Sequence, residues 1–304
     1  MKKLLYFLSS LACMAVFGLY GCKQGDSAAA PESDSAAIKL GLLPTMDCLP
    51  FYYADSTGIF DSLGIDVKLV TFESAMDADT AFAGGSIDAI VTDLVKATLW
   101  EDTDSVHTVM YGDLRLWLVT AKNARLLKVE SMKDKIVGIT RHSAVDFFTD
   151  KALEVAKLKS IDLNKPQINN LRLRTLMTDQ NQYDGAVLPE PFASEAAARG
   201  AKRLLSSADL NLPGMLCVAI SDSINRTRAV EACKLRQAYD IAVRTMNADT
   251  VSSMCGFFPP KHVLYIPDTL FTYVPLSESS QPNDSMKEVV RKWLGERQLI
   301  RHRK

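Results

Sequence analysis

The chain has 304 residues, 47% of them hydrophobic, and a formal net charge of −1. This length suits one large domain or two modest ones. Nucleic-acid-binding proteins typically carry an excess of Lys and Arg on one face. The near-neutral charge gives no sign of such an excess, so no nucleic-acid partner is expected.

The N-terminus has the pattern of a secretion signal. Lys2 and Lys3 precede an apolar run from Leu4 to Val16, and small and apolar residues continue to Cys22. The run is short for a helix that spans a bilayer, and two serines interrupt it. We therefore expect residues 1–21 to be a signal peptide.

The end of this run resembles the lipobox of bacterial lipoproteins. Its sequence is Leu19-Tyr20-Gly21-Cys22, and the resemblance implies cleavage before Cys22 and a lipid on its sulfur. Residues 22–37 are rich in Ala, Ser and Asp and contain too few large apolar side chains to form a core, so they are expected to be a flexible tether. We expect a cell-envelope protein, lipid-anchored at a membrane and facing the periplasm or the cell exterior.

Apolar runs alternate with segments of helical spacing in the first part of the body. Strands are expected at Ile38–Leu43, Ile65–Thr71, Ile87–Thr92 and Val106–Tyr111, and helices at Pro50–Leu63, Ala75–Ala83 and Asp93–Glu101. Strands that alternate with helices predict an α/β fold with a mostly parallel sheet and helices on both faces.

The same alternation restarts after the apolar segment Leu114–Ala121. Strands are expected at Lys135–Thr140, Ile168–Arg174, Asp184–Leu188 and Ala201–Leu205, and helices at Ser143–Lys157, Leu176–Gln182 and Pro191–Arg199. This second set predicts a second α/β unit in series with the first.

The last part of the chain has too few strands for a third sheet. One strand is expected at Met215–Ser221 and helices at Arg228–Met246 and Met286–Leu294. We expect this part to return to the first unit. The predicted lobes are residues 38–118 plus 214–304, and residues 119–213, with crossings near Val119–Lys122 and Asn211–Leu216.

Several short motifs, taken in order, resemble one known family. The motifs are Ser62-Leu63-Gly64-Ile65-Asp66-Val67, Ala83-Gly84-Gly85-Ser86-Ile87-Asp88-Ala89, Lys133-Asp134-Lys135-Ile136-Val137-Gly138-Ile139, Tyr183-Asp184-Gly185, Pro189-Glu190-Pro191 and Gly200-Ala201-Lys202-Arg203-Leu204-Leu205. From Ile38 to Ile224 the chain resembles the periplasmic substrate-binding proteins of the nitrate, sulfonate, taurine and thiamine-precursor transporters.

The resemblance implies a two-lobed periplasmic binding protein fold of type II. Such a protein closes like a hinge over a small-molecule solute and delivers it to an ABC permease and its ATPase. It implies no cofactor, no metal and no catalytic residue, and we expect a monomer.

Candidate ligand-binding residues follow from this fold class. In open α/β sheets, ligands bind beyond the carboxyl ends of the strands, where helix N-termini present free backbone N–H groups. The polar and aromatic residues expected near these ends are Thr45, Asp47, Tyr52, Ser74, Thr92, Asp93, Arg141, His142, Ser143 and Glu190. For Ser74, Asp93 and Ser143 a helix N-cap is the structural alternative, and Ser143 with Asp146 fits a capping box.

The charge of the ligand stays open at this point. Arg141 beside a helix N-terminus suits a carboxylate, sulfonate or phosphate, although it could equally be a solvated loop residue. Asp47 instead favours an amine-bearing or heteroaromatic ligand such as a pyrimidine. The rings of Tyr52, Tyr53 and Trp117 would stack on such a ligand if they are not core residues.

Glu190 lies between two prolines at the end of a predicted strand. Pro189 ends the strand because it cannot donate to the sheet ladder, and Pro191 suits the first turn of the following helix. Glu190 is therefore expected at a helix N-terminus, either as a ligand acceptor or latch between lobes, or as an acid that satisfies the helix dipole.

Two other functions compete with solute transport. Enzymes of thiamine-precursor and menaquinone synthesis share the fold, but the sequence has no GxSxG, P-loop, HExxH or GxGxxG motif. A solute receptor for a signalling partner is also compatible with the sequence. Cys48, Cys217, Cys233 and Cys255 would be compatible with disulfides in an exported protein, and their pairing is left open.

Overall fold

The computed structural model describes residues 37–101, 106–248, 254–258 and 275–300. The chain divides into two units, Met1–Ser35 and Ala36–Lys304, and every described residue lies in the second. The predicted signal peptide, Cys22 and the tether up to residue 36 lie outside the described residues. In the described part, no helix is both long and apolar enough to cross a membrane.

Nine strands and ten α-helices form the described body. The strands are β1 Ile38–Leu42, β2 Val67–Thr71, β3 Ala89–Asp93, β4 Val106–Gly112, β5 Leu116–Thr120, β6 Val137–Gly138, β7 Gly185–Pro189, β8 Lys202–Ser206 and β9 Leu216–Ser221. The helices are α1 Leu49–Ser56, α2 Ile59–Ser62, α3 Ala75–Ala83, α4 Leu94–Glu101, α5 Ala144–Val155, α6 Leu171–Asp179, α7 Phe192–Ala198, α8 Asp222–Thr227, α9 Ala229–Ala248 and α10 Asp284–Glu296.

The strands form two sheets flanked by helices, which confirms the predicted α/β fold, but both sheets are mixed rather than mostly parallel. The first has the order β2-β1-β3-β9-β4 and the second the order β6-β7-β5-β8. Each sheet contains one strand that runs against its neighbours, β9 in the first and β5 in the second. These are the first strands that the chain forms after it passes from one sheet to the other, so each enters its sheet from the opposite direction.

The observed crossings differ from the predicted ones. Leu116 to Thr120 pairs with β7 and β8 of the second sheet. The first crossing is therefore the short segment 113–115, which precedes the predicted Val119–Lys122. The return crossing lies between Ser206 and Leu216 and includes most of the predicted segment.

Two predicted elements were wrong in detail. The helix predicted over Pro50–Leu63 is broken into α1 and α2, because Gly58 adopts a left-handed φ of 72° that few other residues tolerate. The strand predicted at Ile168–Arg174 is instead the start of α6, whose N-cap Asn170 accepts a hydrogen bond from the amide of Leu173.

Helices pack on the sheets and bury apolar side chains in several clusters. On the first sheet, α1 packs against α9, with the rings of Phe51 and Tyr239 5.3 Å apart. The C-terminal helix α10 packs against α4 and reaches α5, where the ring of Trp293 meets that of Phe147 edge-on at 5.5 Å. Burial of each such large apolar side chain stabilises the fold by about 1.5–3 kcal/mol.

Candidate functional site

A cavity lies where the carboxyl ends of strands from both sheets meet. Its volume is about 80 Å³, and its wall includes Thr45 after β1, Thr92 and Asp93 at the end of β3, Thr140 after β6 and Pro189 at the end of β7. This is the position at which open α/β sheets bind ligands. By the usual measure of about 10–15 Å³ per water, it has room for a solute of a few carbon atoms.

Five of the ten predicted site residues line this cavity. They are Thr45, Asp47, Thr92, Asp93 and Ser143. Ser143 also begins α5 as predicted, since its Oγ accepts from the amide of Val145 at 3.2 Å. The predicted capping box is shifted by one residue, because Asp146 accepts from the amide of His142 instead of that of Ser143.

The other five predicted residues are not part of the cavity wall. Ser74 caps α3 by accepting from the amide of Asp77, and its predicted alternative role as a helix cap is the one observed. Arg141 is exposed and donates to the carbonyl of Lys165, and the neighbouring His142 is also exposed. Neither is placed to meet a solute in the cavity.

The predicted aromatic platform does not form. The hydroxyl of Tyr52 shares a hydrogen bond of 3.0 Å with that of Thr71, and its ring is buried in the core. Tyr53 packs on Phe257, and the Trp117 ring lies under the guanidinium of Arg203. These rings are satisfied within the fold, so stacking of a ligand on them has no geometric support.

Glu190 is turned into the protein. Its side chain is 5% exposed, and Oε2 accepts from the amide of Ser194 in the first turn of α7 at 2.9 Å. Oε1 pairs with Arg203 at 2.8 Å. The carboxylate therefore has the second of its predicted roles, that of an acid that satisfies the N-terminus of a helix. Its side chain is not part of the cavity wall.

Backbone contacts join the two sides of the cavity at its rim. Ser74 forms an antiparallel bridge with Asn170, and the amide of Leu171 donates to the carbonyl of Glu73 at 3.3 Å. At a separate point, the amide of Met46 donates to the carbonyl of Glu190 at 2.8 Å. In the described conformation, backbone contacts therefore hold segments next to the first sheet against segments next to the second.

Burial shifts the acidic groups of the cavity toward their neutral form. It raises the pKa of Asp47, against the opposing effect of its own backbone amide and the Thr45 hydroxyl. It also raises the pKa of Asp93 to about 6, although Asp93 accepts from the amides of Val95 and Lys96 at the start of α4.

A buried arginine that sequence reasoning missed also lines the cavity. Arg174, on α6, is 0% exposed, and burial lowers its pKa to about 9. A signal was available, because the buried positions Leu171, Arg174, Thr175 and Thr178 have the i, i+3, i+4, i+7 spacing of a buried helix face. An arginine on such a face is notable, because a fully buried arginine almost always has polar partners.

The cysteines offer no reactive group at the cavity. Cys48, Cys217 and Cys233 are free thiols, and the side chain of Cys255 lies outside the described part. Burial raises the pKa of both Cys48 and Cys217 well above the usual value, so both remain protonated at neutral pH. In the described part of the chain, no group of three or more His, Cys, Asp or Glu side chains could hold a metal ion.

Comparison with solved structures identifies the architecture. The periplasmic aliphatic sulphonate binding protein SsuA from Escherichia coli superposes with a TM-score of 0.67 at 15% identity, over 87% of this chain and 88% of that one. The chain has the periplasmic binding protein fold. The periplasmic nitrate-binding protein NrtA from Synechocystis has the same fold, with a TM-score of 0.73 at 12% identity over 88% of this chain and 83% of that one.

A third protein with the periplasmic binding protein fold is the alkanesulfonate-binding protein SsuA from Xanthomonas axonopodis, bound to MOPS. It has a TM-score of 0.72 at 14% identity, over 88% of this chain and 95% of that one. Residues 31–101 match the model of the NMT1-like family. Comparison with curated proteins gives no match. The resemblance predicted from sequence is thus confirmed by an NMT1-like segment and by the fold of the whole body.

Proposed function

We propose that this protein is an extracytoplasmic solute-binding protein that captures a small solute between its two sheets and delivers it to an ABC importer. The cavity at the carboxyl ends of both sheets, with rim contacts from both sides, carries this proposal. A solute that touches both sides favours the closed conformation through its differential affinity, and that difference drives closure.

The hinge of this motion is assigned to the two crossings between the sheets. Residues 113–115 and the segment between β8 and β9 are short connections at which backbone rotation can separate the sheets without unpairing a strand. The proposed lobes are then close to those predicted from sequence. The difference is that the whole of β5 belongs to the second lobe. Opening would break the Ser74–Asn170 bridge and the Met46–Glu190 hydrogen bond.

A tether would hold this binding body at a membrane. In this proposal Cys22 is the lipidated residue and the segment up to residue 37 is the flexible tether. The partner is an ABC permease with its ATPase. In cells fed a radiolabelled fatty acid, the wild-type chain should incorporate label and the Cys22→Ser variant should not. Equal labelling of both would reject the anchor and leave solute binding untouched.

A thermal-shift screen of the purified protein tests solute binding. A ligand that binds only the folded state stabilises it by RT ln(1 + c/Kd), where c is the free ligand concentration, so the melting temperature keeps rising as c exceeds Kd. The screen uses nitrate, sulfonates, amino acids, pyrimidines, aromatic acids and amines. A shift that grows with the concentration of one ligand class supports the proposal, and the absence of a shift across all classes argues against it.

Two further measurements separate transport from the alternatives. Small-angle scattering should report a smaller radius of gyration with the bound solute if the solute selects the closed form. Mass spectrometry should recover that solute unchanged after incubation, whereas an enzyme of the same fold would convert it. A receptor would bind without an importer, so loss of solute uptake on deletion of the gene distinguishes transport from signalling.

A further inference from the structure

Two buried side chains of opposite charge line the cavity, and neither has a counter-ion. Asp47 is 9% exposed and Arg174 is 0% exposed. Within the described part of the chain, neither forms a salt bridge, either with the other or with a third residue. Burial of a charge without a partner is costly, so such groups in a ligand cavity point to charge on the ligand.

Arg174 is held in place by neutral oxygens only. Its Nε and one terminal nitrogen donate to the carbonyl of Ile168, the other terminal nitrogen donates to the carbonyl of Val187 at 2.8 Å, and the Thr140 hydroxyl accepts a further bond. These contacts fix the orientation of the guanidinium without neutralising it. An anionic group in the cavity would supply the missing charge.

Asp47 is likewise surrounded by neutral groups. The Cys48 thiol lies 3.7 Å from its carboxylate, and the Thr45 hydroxyl is a further hydrogen-bond partner. Lys96, whose ammonium group also lines the cavity, does not neutralise Asp47, because it forms a salt bridge with Asp79 at 2.8 Å. A cationic group on the ligand would therefore meet a carboxylate that no described residue neutralises.

The two charges belong to different sides of the cavity. Asp47 follows β1 of the first sheet, whereas Arg174 lies on α6, which packs on α7 and β7 of the second sheet. The start of α6 meets segments next to the first sheet at the rim, through Asn170 and Leu171. A molecule that satisfied both would contact both sides at once. Its binding energy would then depend on closure, which is the property that a captured solute needs.

We propose that the solute is a small zwitterion, with its ammonium group at Asp47 and its carboxylate or sulfonate at Arg174. This inference rests on the proposed function and narrows it. It sets the cavity apart from one built for nitrate or a simple alkanesulfonate, which have no cationic group. The cavity volume of about 80 Å³ limits the spacer between the two charges to a few carbon atoms.

Isothermal titration calorimetry with matched half-molecules tests this assignment on the unaltered protein. The probes are 3-aminopropanoate and 2-aminoethanesulfonate as zwitterions, propanoate and ethanesulfonate as anions, and propylamine as the cation. At least one zwitterion should bind, and each half-molecule should bind about tenfold more weakly or worse, because it leaves one buried charge unpaired.

The Asp47→Asn variant assigns the ammonium end. It keeps the size and hydrogen-bonding capacity of the side chain but removes its charge, so it should weaken zwitterion binding about tenfold or more without weakening binding of the anions. Asp55→Asn, an exposed position on α1, is the matched control and should change neither affinity. An unchanged melting temperature of the free variant verifies its fold.

The results that would contradict the zwitterion assignment can be told apart from one another. If an anion binds as tightly as the zwitterion and Asp47→Asn has no effect, the zwitterion assignment is overturned while solute binding stands. If only the amine binds, the role of Arg174 is overturned in the same way. If none of the five probes binds, the zwitterion assignment fails, and the wider thermal-shift screen then decides separately whether the protein binds a solute at all.

Discussion

The backbone amide of Met46 donates to the carbonyl oxygen of Glu190 across the boundary between the two sheets, at 2.8 Å. The carboxylate of the same glutamate serves other partners, the amide of Ser194 and the guanidinium of Arg203. One residue therefore joins the two sides through its backbone and stabilises the second sheet's helix α7 through its side chain.

Replacement of Glu190 should affect stability more than solute binding. Glu190→Ala removes an α7 cap and leaves Arg203, whose side chain is 22% exposed, without its partner, so we expect the free energy of unfolding to fall by about 2–3 kcal/mol. Glu190→Gln retains an acceptor for Ser194 and should cost less. Urea unfolding measures both. A loss of solute affinity in Glu190→Gln with unchanged stability would instead place this carboxylate in the binding site.

Asp150 should stabilise the protein at neutral pH and lose that effect in acid. Burial alone would raise its pKa, but Lys165, the Trp293 Nε1–H at 2.9 Å and Arg297 lower it overall. A lowered folded-state pKa gives stability that is present above the unfolded value of about 3.8 and is lost as the pH falls through the folded value.

The comparison of Asp150→Asn with wild type measures this effect. The variant should be less stable by about 2–4 kcal/mol at pH 7, because it leaves two partly buried cations, Lys165 and Arg297, short of a partner. The difference should shrink below pH 4. Glu154→Gln, at the exposed end of the same helix α5, is the control. A difference that stays constant down to pH 3 would contradict the charge interaction.

Asp93 should have the opposite pH dependence. Its folded-state pKa is raised to about 6 from 3.8, so the folded protein binds a proton that the unfolded chain has released, and stability falls as the pH rises between these values. Asp93→Asn should therefore unfold like wild type near pH 4 and be more stable at pH 7.5, by up to about 3 kcal/mol. Thermal unfolding at both values tests this, and equal stability at pH 7.5 would argue against a burial effect.

Gly185 should tolerate no side chain. A Cβ at this position would lie 2.5 Å from the carbonyl oxygen of Val119 on the paired strand β5, which cannot move without breaking the sheet. We expect Gly185→Ala to cost more than about 2 kcal/mol in urea unfolding. At Gly41 the nearest atom is the end of the Ile87 side chain, which can rotate, so Gly41→Ala should cost less. The reverse order would show that β5 and β7 separate easily.

Local patterns in the sequence predicted most of the elements but misjudged α6. The residues Leu171-Arg172-Leu173-Arg174 alternate apolar and charged side chains, which is the period of a strand with its arginines in solvent. The structure makes this segment a helix and buries Arg174 completely. Its oxygen partners come from Ile168, Val187 and Thr140, which are brought together only by the tertiary fold.

Half of the predicted site residues line the cavity, for a related reason. Residues that directly follow a strand, such as Thr45 and Asp93, are placed by the sheet itself, so their positions follow from the element pattern. For Arg141, which precedes a helix, the sequence left both an anion ligand and a solvated loop residue open, because the loop conformation decides whether such a side chain points inward. Here it turns outward to the carbonyl of Lys165. Likewise, the apolar run Leu116–Thr120 predicts a strand but does not state which sheet the strand joins.

The strand order of the first sheet constrains how the protein can be made. β9 lies between β3 and β4, yet it follows the entire second sheet along the chain. Until Leu216–Ser221 emerges during synthesis or export, β3 and β4 have no strand between them and present unpaired edges. Such edges promote aggregation, and strand pairing between distant segments is slow. A chain truncated before residue 216 should therefore be a substrate for chaperones and proteases, even though it contains both walls of the cavity.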